Sequence, residues 1–138
     1  MQLDRSRWSS ALLRIMSITR SIEYISDKME YEPTEYHKKG ELCSKRNPNS
    51  KIREENLWIL KSKLSEQESL ESHIENYLSF LEERADGIIE LQPDCEFEFM
   101  CAYSSENGQG GFTLGHEVLK KLTAYPIDLS INLYPPPK

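Results

Sequence analysis

Apolar residues recur along this chain in two different periods, which alternate from one segment to the next. Spacings of three and four residues place apolar side chains on one stripe of a helix, whereas strict alternation places them on one face of a strand. Helical spacing occurs three times, so the pattern predicts three helices. Their apolar stripes are Ile22, Ile25 and Met29, then Leu70, Ile74, Leu78 and Leu81, and finally Leu114, Val118, Leu119 and Leu122.

Polar residues indicate where these helices begin. Thr19 or Ser21 can accept hydrogen bonds from the free amides of the first helix, and Thr113 can do so for the third. Ser65, followed three residues later by Glu68, matches a capping box for the second helix. We therefore expect these residues to be N-caps.

Proline and glycine indicate where the helices end. The first helix is expected to end before Pro33, the second near Gly87 and the third before Pro126. The polar stretch from residue 31 to residue 54 is predicted to be the main loop, and residues 107–111 a glycine-rich loop.

Four segments have the character of strands: 10–18, 57–60, 96–101 and 127–134. One-sided helices beside alternating strands predict an α+β two-layer sandwich, with three helices on one face of a four-stranded antiparallel or mixed sheet. The predicted order is β-α-β-α-β-α-β, a ferredoxin-like or related arrangement within a single domain, 1–138.

Composition limits the classes of partner. The chain has 17 basic and 23 acidic residues and a net charge of −6, so nucleic acid is an unfavourable partner. Its longest apolar run, residues 99–103, is far below the roughly 18 residues that a membrane span needs. No membrane partner is expected, and the start of the chain lacks a signal-peptide layout, so secretion is not indicated. Three cysteines without a disulfide framework make a reducing cytoplasm the simplest expected location.

Four segments together resemble a small, mainly bacterial family. They are IEYISDKMEYEPTEYHKKGE at 22–41, WILKS at 58–62, LESHIENYLSFL at 70–81 and GGFTLGHEVLKKLTAYPIDLSINLY at 110–134. The family is the domain of unknown function DUF4279. The resemblance implies an α+β domain without assigned enzyme activity or transferable catalytic residues, and members that look like immunity proteins of bacterial toxin systems. The chain departs from the family at Met29-Glu30-Tyr31, where a short apolar residue followed by Gly is expected at the helix end.

The residues that most often carry chemistry are scattered. No metal-ligand spacing links the histidines, and no nucleophile elbow is present. The cysteines are odd in number and lack a CxxC motif, and Cys95 and Cys101 share the parity of the apolar residues of their strand, so we expect both to be buried. The sequence therefore predicts no catalytic residue, no metal and no cofactor. The scattered residues are His37, His73, His116, Cys43, Cys95 and Cys101.

Charge is distributed unevenly along the chain. Residues 66–98 include eleven acidic residues and one basic residue, whereas residues 38–63 include eight basic and three acidic ones. The acidic region is predicted to bind a basic partner, although the basic segment of the same molecule could instead neutralise it. The predicted partner-binding residues are Glu71, Glu75, Glu82, Glu83, Glu96 and Glu98.

Three functions remain open from the sequence. The first is a non-enzymatic immunity protein that binds and neutralises a cognate toxin, for which an acidic surface suits a basic target. The second is a nucleic-acid-binding or regulatory module using residues 38–63, with Tyr36 and Trp58 as stacking groups. The third is an enzyme of a type that no motif identifies.

Overall fold

Five strands form one mixed sheet, and four helices cover one of its faces, in a computed structural model that describes residues 8–105 and 110–134. The strands are β1 (Trp8–Ser17), β2 (Glu35–His37), β3 (Asn56–Lys61), β4 (Glu96–Ser104) and β5 (Ile127–Tyr134). The helices are α1 (Ile22–Met29), α2 (Leu70–Glu82), α3 (Ala85–Leu91) and α4 (His116–Thr123).

Strand β1 lies in the centre of the sheet, whose spatial order is β2-β3-β1-β4-β5. It is antiparallel to both neighbours: Leu13 lies opposite Leu60 of β3 and Phe99 of β4. Strand β5 is parallel to β4, and α4 makes the crossover between them. The mixed α+β architecture predicted from the periodicity is confirmed.

The core lies between the sheet and the helices. Alternate residues of β1 are buried, and the apolar ones belong to one cluster with apolar residues from all four helices. Two aromatic side chains of this core have hydrogen-bonded polar groups. The Trp58 indole donates to Ser26 Oγ at 3.0 Å, and the Tyr77 hydroxyl lies 2.9 Å from the Ala11 carbonyl oxygen and 2.7 Å from that of Leu60. Cys95 and Cys101 are buried in it, as their parity predicts.

Two elements were missed by the sequence prediction. Strand β2 lies within the predicted main loop, where its three residues pair with β3. It is too short to show a period, so its conformation depends on this pairing. Helix α3 continues the chain beyond α2, so the predicted order with four strands and three helices is wrong in detail. The ferredoxin-like arrangement is also wrong. In that arrangement the two strands joined through the first helix, here β1 and β3, would be parallel with another strand between them. In this structure they are antiparallel neighbours.

Gly87 does not end α2 as predicted but lies inside α3. A Cβ atom at this position would overlap the backbone carbonyl oxygen of Lys28 in α1. Glycine therefore permits the close approach of these two helices. The Arg84 guanidinium stabilises the same contact by donating from Nε to the Met29 carbonyl oxygen at 2.7 Å.

The helix caps confirm one prediction and correct two. Ser21 caps α1 as expected, accepting from the Tyr24 amide. Helix α2 is capped by Ser69 rather than Ser65, which instead accepts from amides in the preceding turn. Gly115, not Thr113, is the N-cap residue of α4. At the other end of α1, Glu30 adopts a left-handed conformation with φ 53°, although Gly is the usual residue in this position.

Within the described residues, no helix combines the length and apolar character that crossing a bilayer requires. Most of the predicted glycine-rich loop lies outside the described residues, which resume at Gly110.

The α1–α3 contact predicts an unusual response to alanine. Gly→Ala inside a helix normally stabilises a protein by about 0.5–1 kcal/mol, but Gly87→Ala should lower the free energy of unfolding by about 1–3 kcal/mol because its methyl group overlaps the Lys28 carbonyl. Denaturant unfolding measures the change. Ser79→Ala, at an exposed position of α2, is the control and should be close to neutral. A stabilised Gly87→Ala protein would contradict the close approach.

Candidate functional site

Helices α2 and α3 form the most strongly acidic part of the helical layer. They carry five carboxylates and no lysine or arginine. These carboxylates belong to Glu71, Glu75, Glu82, Asp86 and Glu90. Glu83, in the link between the two helices, adds a sixth.

Glu71 has a structural role. Its Oε2 atom accepts a hydrogen bond from the backbone amide of Gly115, the N-cap residue of α4. A carboxylate at a helix N-terminus satisfies a free amide and interacts favourably with the helix dipole. Glu71 therefore does for α4 what Thr113 was predicted to do, and it is not free to bind a partner in the same way as its neighbours.

The other carboxylates of α2 and α3 differ in their partners. Glu90 forms an ion pair with Lys28 at 2.7 Å, and Glu83 lies 3.4 Å from the Arg84 guanidinium. Glu75, Glu82 and Asp86 are exposed and form no ion pair with any described residue.

An exposed apolar side chain adjoins these carboxylates. Ile89 is 65% exposed and lies one helical turn from Asp86. We call the exposed group Glu75, Glu82, Glu83, Asp86 and Ile89 the helical acidic surface. An apolar contact with a charged rim is typical of protein interfaces. Asp86 and Ile89 were not among the predicted site residues. Ile89 was missed because the sequence prediction ended the helix near Gly87.

Glu96 and Glu98 lie on the other side of the molecule. On β4 they alternate with Phe97 and Phe99, which are buried beneath the helices, so the two glutamates lie on the open face of the sheet. The predicted set of six partner-binding glutamates is therefore not one surface. The sheet separates Glu96 and Glu98 from the four on α2 and its C-terminal end.

The open face of the sheet has a charged centre in apolar surroundings. Arg14 of β1 lies 3.5 Å from Glu98 (Nε to Oε1), and Ser130 of β5 donates to the other oxygen of Glu98 at 2.7 Å. The Arg14 guanidinium also contacts the sulfur atoms of Met16 and Met100 at 3.7 and 3.4 Å. Arg14 was missed as a site residue, although its place between Leu12 and Met16 in an alternating strand indicates this face.

The basic segment does not neutralise the acidic helices. Leu42 and Ile52 bridge its two halves, and residues 50–55 line a cleft together with Arg14 and Leu57 of the open face. Its cations find partners elsewhere: Lys38 approaches Glu23 of α1 at 3.4 Å, and Lys61 approaches Glu35 of β2 at 3.4 Å. Over residues 8–105 and 110–134, no ion pair joins this segment to α2 or α3.

The histidines and cysteines stay apart in space. His37 contacts Glu35 at 3.3 Å, and the exposed His116 contacts Glu117 at 3.1 Å. Among the described residues, no group of three His, Cys, Asp or Glu side chains is placed to hold a metal ion. Burial raises the pKa of the Cys101 thiol to about 12 and also raises that of Cys95, so both thiols are protonated at neutral pH.

The family model for the domain of unknown function DUF4279 matches residues 6–136. The chain belongs to the DUF4279 family. No curated protein and no solved structure gives a significant match to this DUF4279 chain. The family resemblance seen in the sequence is thus confirmed over nearly the whole chain, and the family description names no activity.

The cap formed by Glu71 predicts a difference between two neighbouring glutamates. Glu71→Gln should lower the free energy of unfolding by about 0.5–2 kcal/mol, since it removes a charged acceptor from the start of α4. Glu75→Gln is the matched control on the same helix and should be neutral or slightly stabilising. Denaturant unfolding compares them. Equal effects would show that Glu71 does not act as a cap.

His73 predicts a loss of stability in acid. It is 1% exposed, its Nδ1 atom lies 2.7 Å from Ser62 Oγ, and burial lowers its pKa below the usual value near 6.5. Near pH 6 the unfolded chain binds more protons than the folded protein at this site. Neutral, buried His73 therefore makes its full contribution to the free energy of unfolding above about pH 6.5, and this contribution is lost as the pH falls.

The variant His73→Gln should depend less on pH between about pH 7 and about pH 5 than the parent protein, because the glutamine does not titrate. Denaturant midpoints at each pH measure this. His116→Gln is the control, because its side chain is 90% exposed, and it should follow the parent protein. Parallel pH profiles for the parent and His73→Gln would contradict the assignment.

Proposed function

We propose that this DUF4279 protein is a non-enzymatic protein-binding domain whose helical acidic surface binds a basic partner. In its most specific form, it is a cytoplasmic immunity protein that neutralises a cognate bacterial toxin. The observation that supports the proposal best is the group of exposed carboxylates at Glu75, Glu82 and Asp86, which have no ion-pair partner among the described residues.

The chemistry of such a surface favours a particular class of toxin. Enzymes that act on nucleic acids or nucleotides carry basic active sites that bind phosphate. Carboxylates held on helices compete for such sites and accelerate encounter through long-range attraction. Ile89, exposed beside them, adds an apolar contact that attraction alone does not supply.

The nucleic-acid alternative loses one of its two proposed stacking groups. Trp58 is fully buried, and its indole nitrogen is bound to Ser26. Tyr36 remains 52% exposed beside Lys38. One exposed aromatic ring is a small platform for successive bases, so the basic segment supports this function less well than the sequence suggested.

The acidic surface predicts the effect of charge reversal on binding. In Glu75→Lys with Glu82→Lys, association with the proposed cognate toxin should slow by about tenfold or more, while dissociation changes little. Affinity should also fall as salt is added, because exposed charges are screened beyond about 8 Å at physiological ionic strength. Binding kinetics and rescue of toxin-expressing cells measure the outcome.

The control reverses two exposed charges of the basic segment, in Lys45→Glu with Lys51→Glu. This variant should retain binding and rescue. If it loses both while the helix variant keeps them, the acidic surface is the wrong site and the basic segment is the binding surface.

A further inference from the structure

Strand β5 forms one edge of the sheet. It is eight residues long and pairs on one side with β4, and no other described residue forms a strand on its outer side. The opposite edge is protected differently. Strand β2 has three residues, and its Glu35 interacts with His37 and Lys61. Short, charged edges resist pairing with other chains, whereas long, uncharged ones favour it.

The side chains of β5 resemble those of an interior strand, which has another strand on each side. Its helix-side residues Ile127, Leu129 and Ile131 are only partly buried, and Leu133 is 73% exposed. Asp128 is its single charged residue. The outer edge therefore presents backbone groups together with apolar surface.

We propose that β5 pairs antiparallel with β5 of a second copy of this chain, around a twofold axis through Ser130, and joins two sheets into one of ten strands. The proposal does not depend on the proposed function. In this register each helix-side residue faces an apolar residue of the other copy, and each open-face residue faces a polar one. The pairs are Ile127 with Leu133, Leu129 with Ile131, Asp128 with Asn132, and Ser130 with itself.

This self-complementarity is the reason for choosing a second copy as the occupant. Asn132 can donate to the Asp128 carboxylate opposite, so no like charges face each other. Tyr134 keeps its contact with Trp8, whose ring lies 5.4 Å away. A slip by one residue would place apolar side chains opposite the polar face, which the pleat disfavours.

Disulfide trapping tests the register. Two Ser130 side chains at the axis would have Cβ atoms about 4.5–5.5 Å apart, near the range of a disulfide, whereas two Asp128 side chains would be separated by four residues, or roughly 13 Å. In a Cys43→Ser background, which removes the exposed native thiol, Ser130→Cys should form a covalent dimer with oxidised glutathione as the electron acceptor. Asp128→Cys should not, and equal trapping of both would overturn the register.

Reversible association tests the same contact without a covalent bond. Sedimentation velocity of the full chain should show a monomer–dimer equilibrium that shifts toward dimer as salt rises, because two copies each carry a net charge of −6. Toxin binding should respond to salt in the opposite direction, so failure of one proposal is distinguishable from failure of the other. A monomer at every concentration and salt would overturn the dimer.

A positive and a negative charge placed at position 132 should change the dissociation constant of the dimer in opposite directions. Asn132→Lys faces Asp128 of the second copy and should tighten the dimer, whereas Asn132→Asp should weaken it. Each shift is expected to be about two- to thirtyfold in the dissociation constant, since a dimer contains two such pairs. The same two substitutions at exposed Ser79 control for net charge and should have smaller effects. Equal shifts at both positions would overturn the pairing.

Discussion

The alternation of β1 is the constraint on which the other features depend. This central strand places five consecutive alternate residues in the core and leaves the intervening ones half-buried on the open face. The register with β1 gives both neighbours, β3 and β4, the same two faces, although Ile59 of β3 is buried on the open face opposite Arg14. One covered face and one open face are therefore built into the middle of the sheet, and all four helices contribute to the covered side.

The same strand also fixes the connections at its two ends. Ser9 and Ser17 are buried polar residues at either end of its covered face. Ser9 Oγ donates to the Glu68 carbonyl oxygen at 2.7 Å, and Ser17 Oγ donates to that of Asp94 at 2.7 Å. Each hydroxyl ties down a segment leading into another element, α2 in the first case and β4 in the second. Buried hydroxyls without such acceptors would destabilise the core.

Elements that depend on local sequence patterns were predictable, whereas elements that depend on residues far away in the sequence were not. Strands β4 and β5 and the stripe of α2 have clear periods, so local patterns were sufficient to predict them. Strand β2 has three residues and α3 contains a glycine, and both depend on distant partners: pairing with β3 for one, and close packing against α1 for the other. The cap of α4 joins residues 44 positions apart, which no local pattern indicates. The separation of Glu96 from α2 was predictable, because its parity already placed it on the face away from the helices.

The charges of α2 and α3 separate into those with an internal role and those without one. Glu71 lies four residues from Glu75, and like charges at this spacing destabilise an isolated helix by a few tenths of a kcal/mol. The Gly115 amide provides a structural reason for Glu71. Glu90 has a similar reason in Lys28. Asp86 has no ion pair among the described residues, but it lies in the first turn of α3, where the helix dipole favours a carboxylate. Glu75 and Glu82 have neither a cap to form nor an ion pair among the described residues, so their contribution to the isolated protein is unfavourable or neutral. A partner of opposite charge would convert that local cost into binding energy, and this is the physical reason for placing the interaction on the helical side of the sheet.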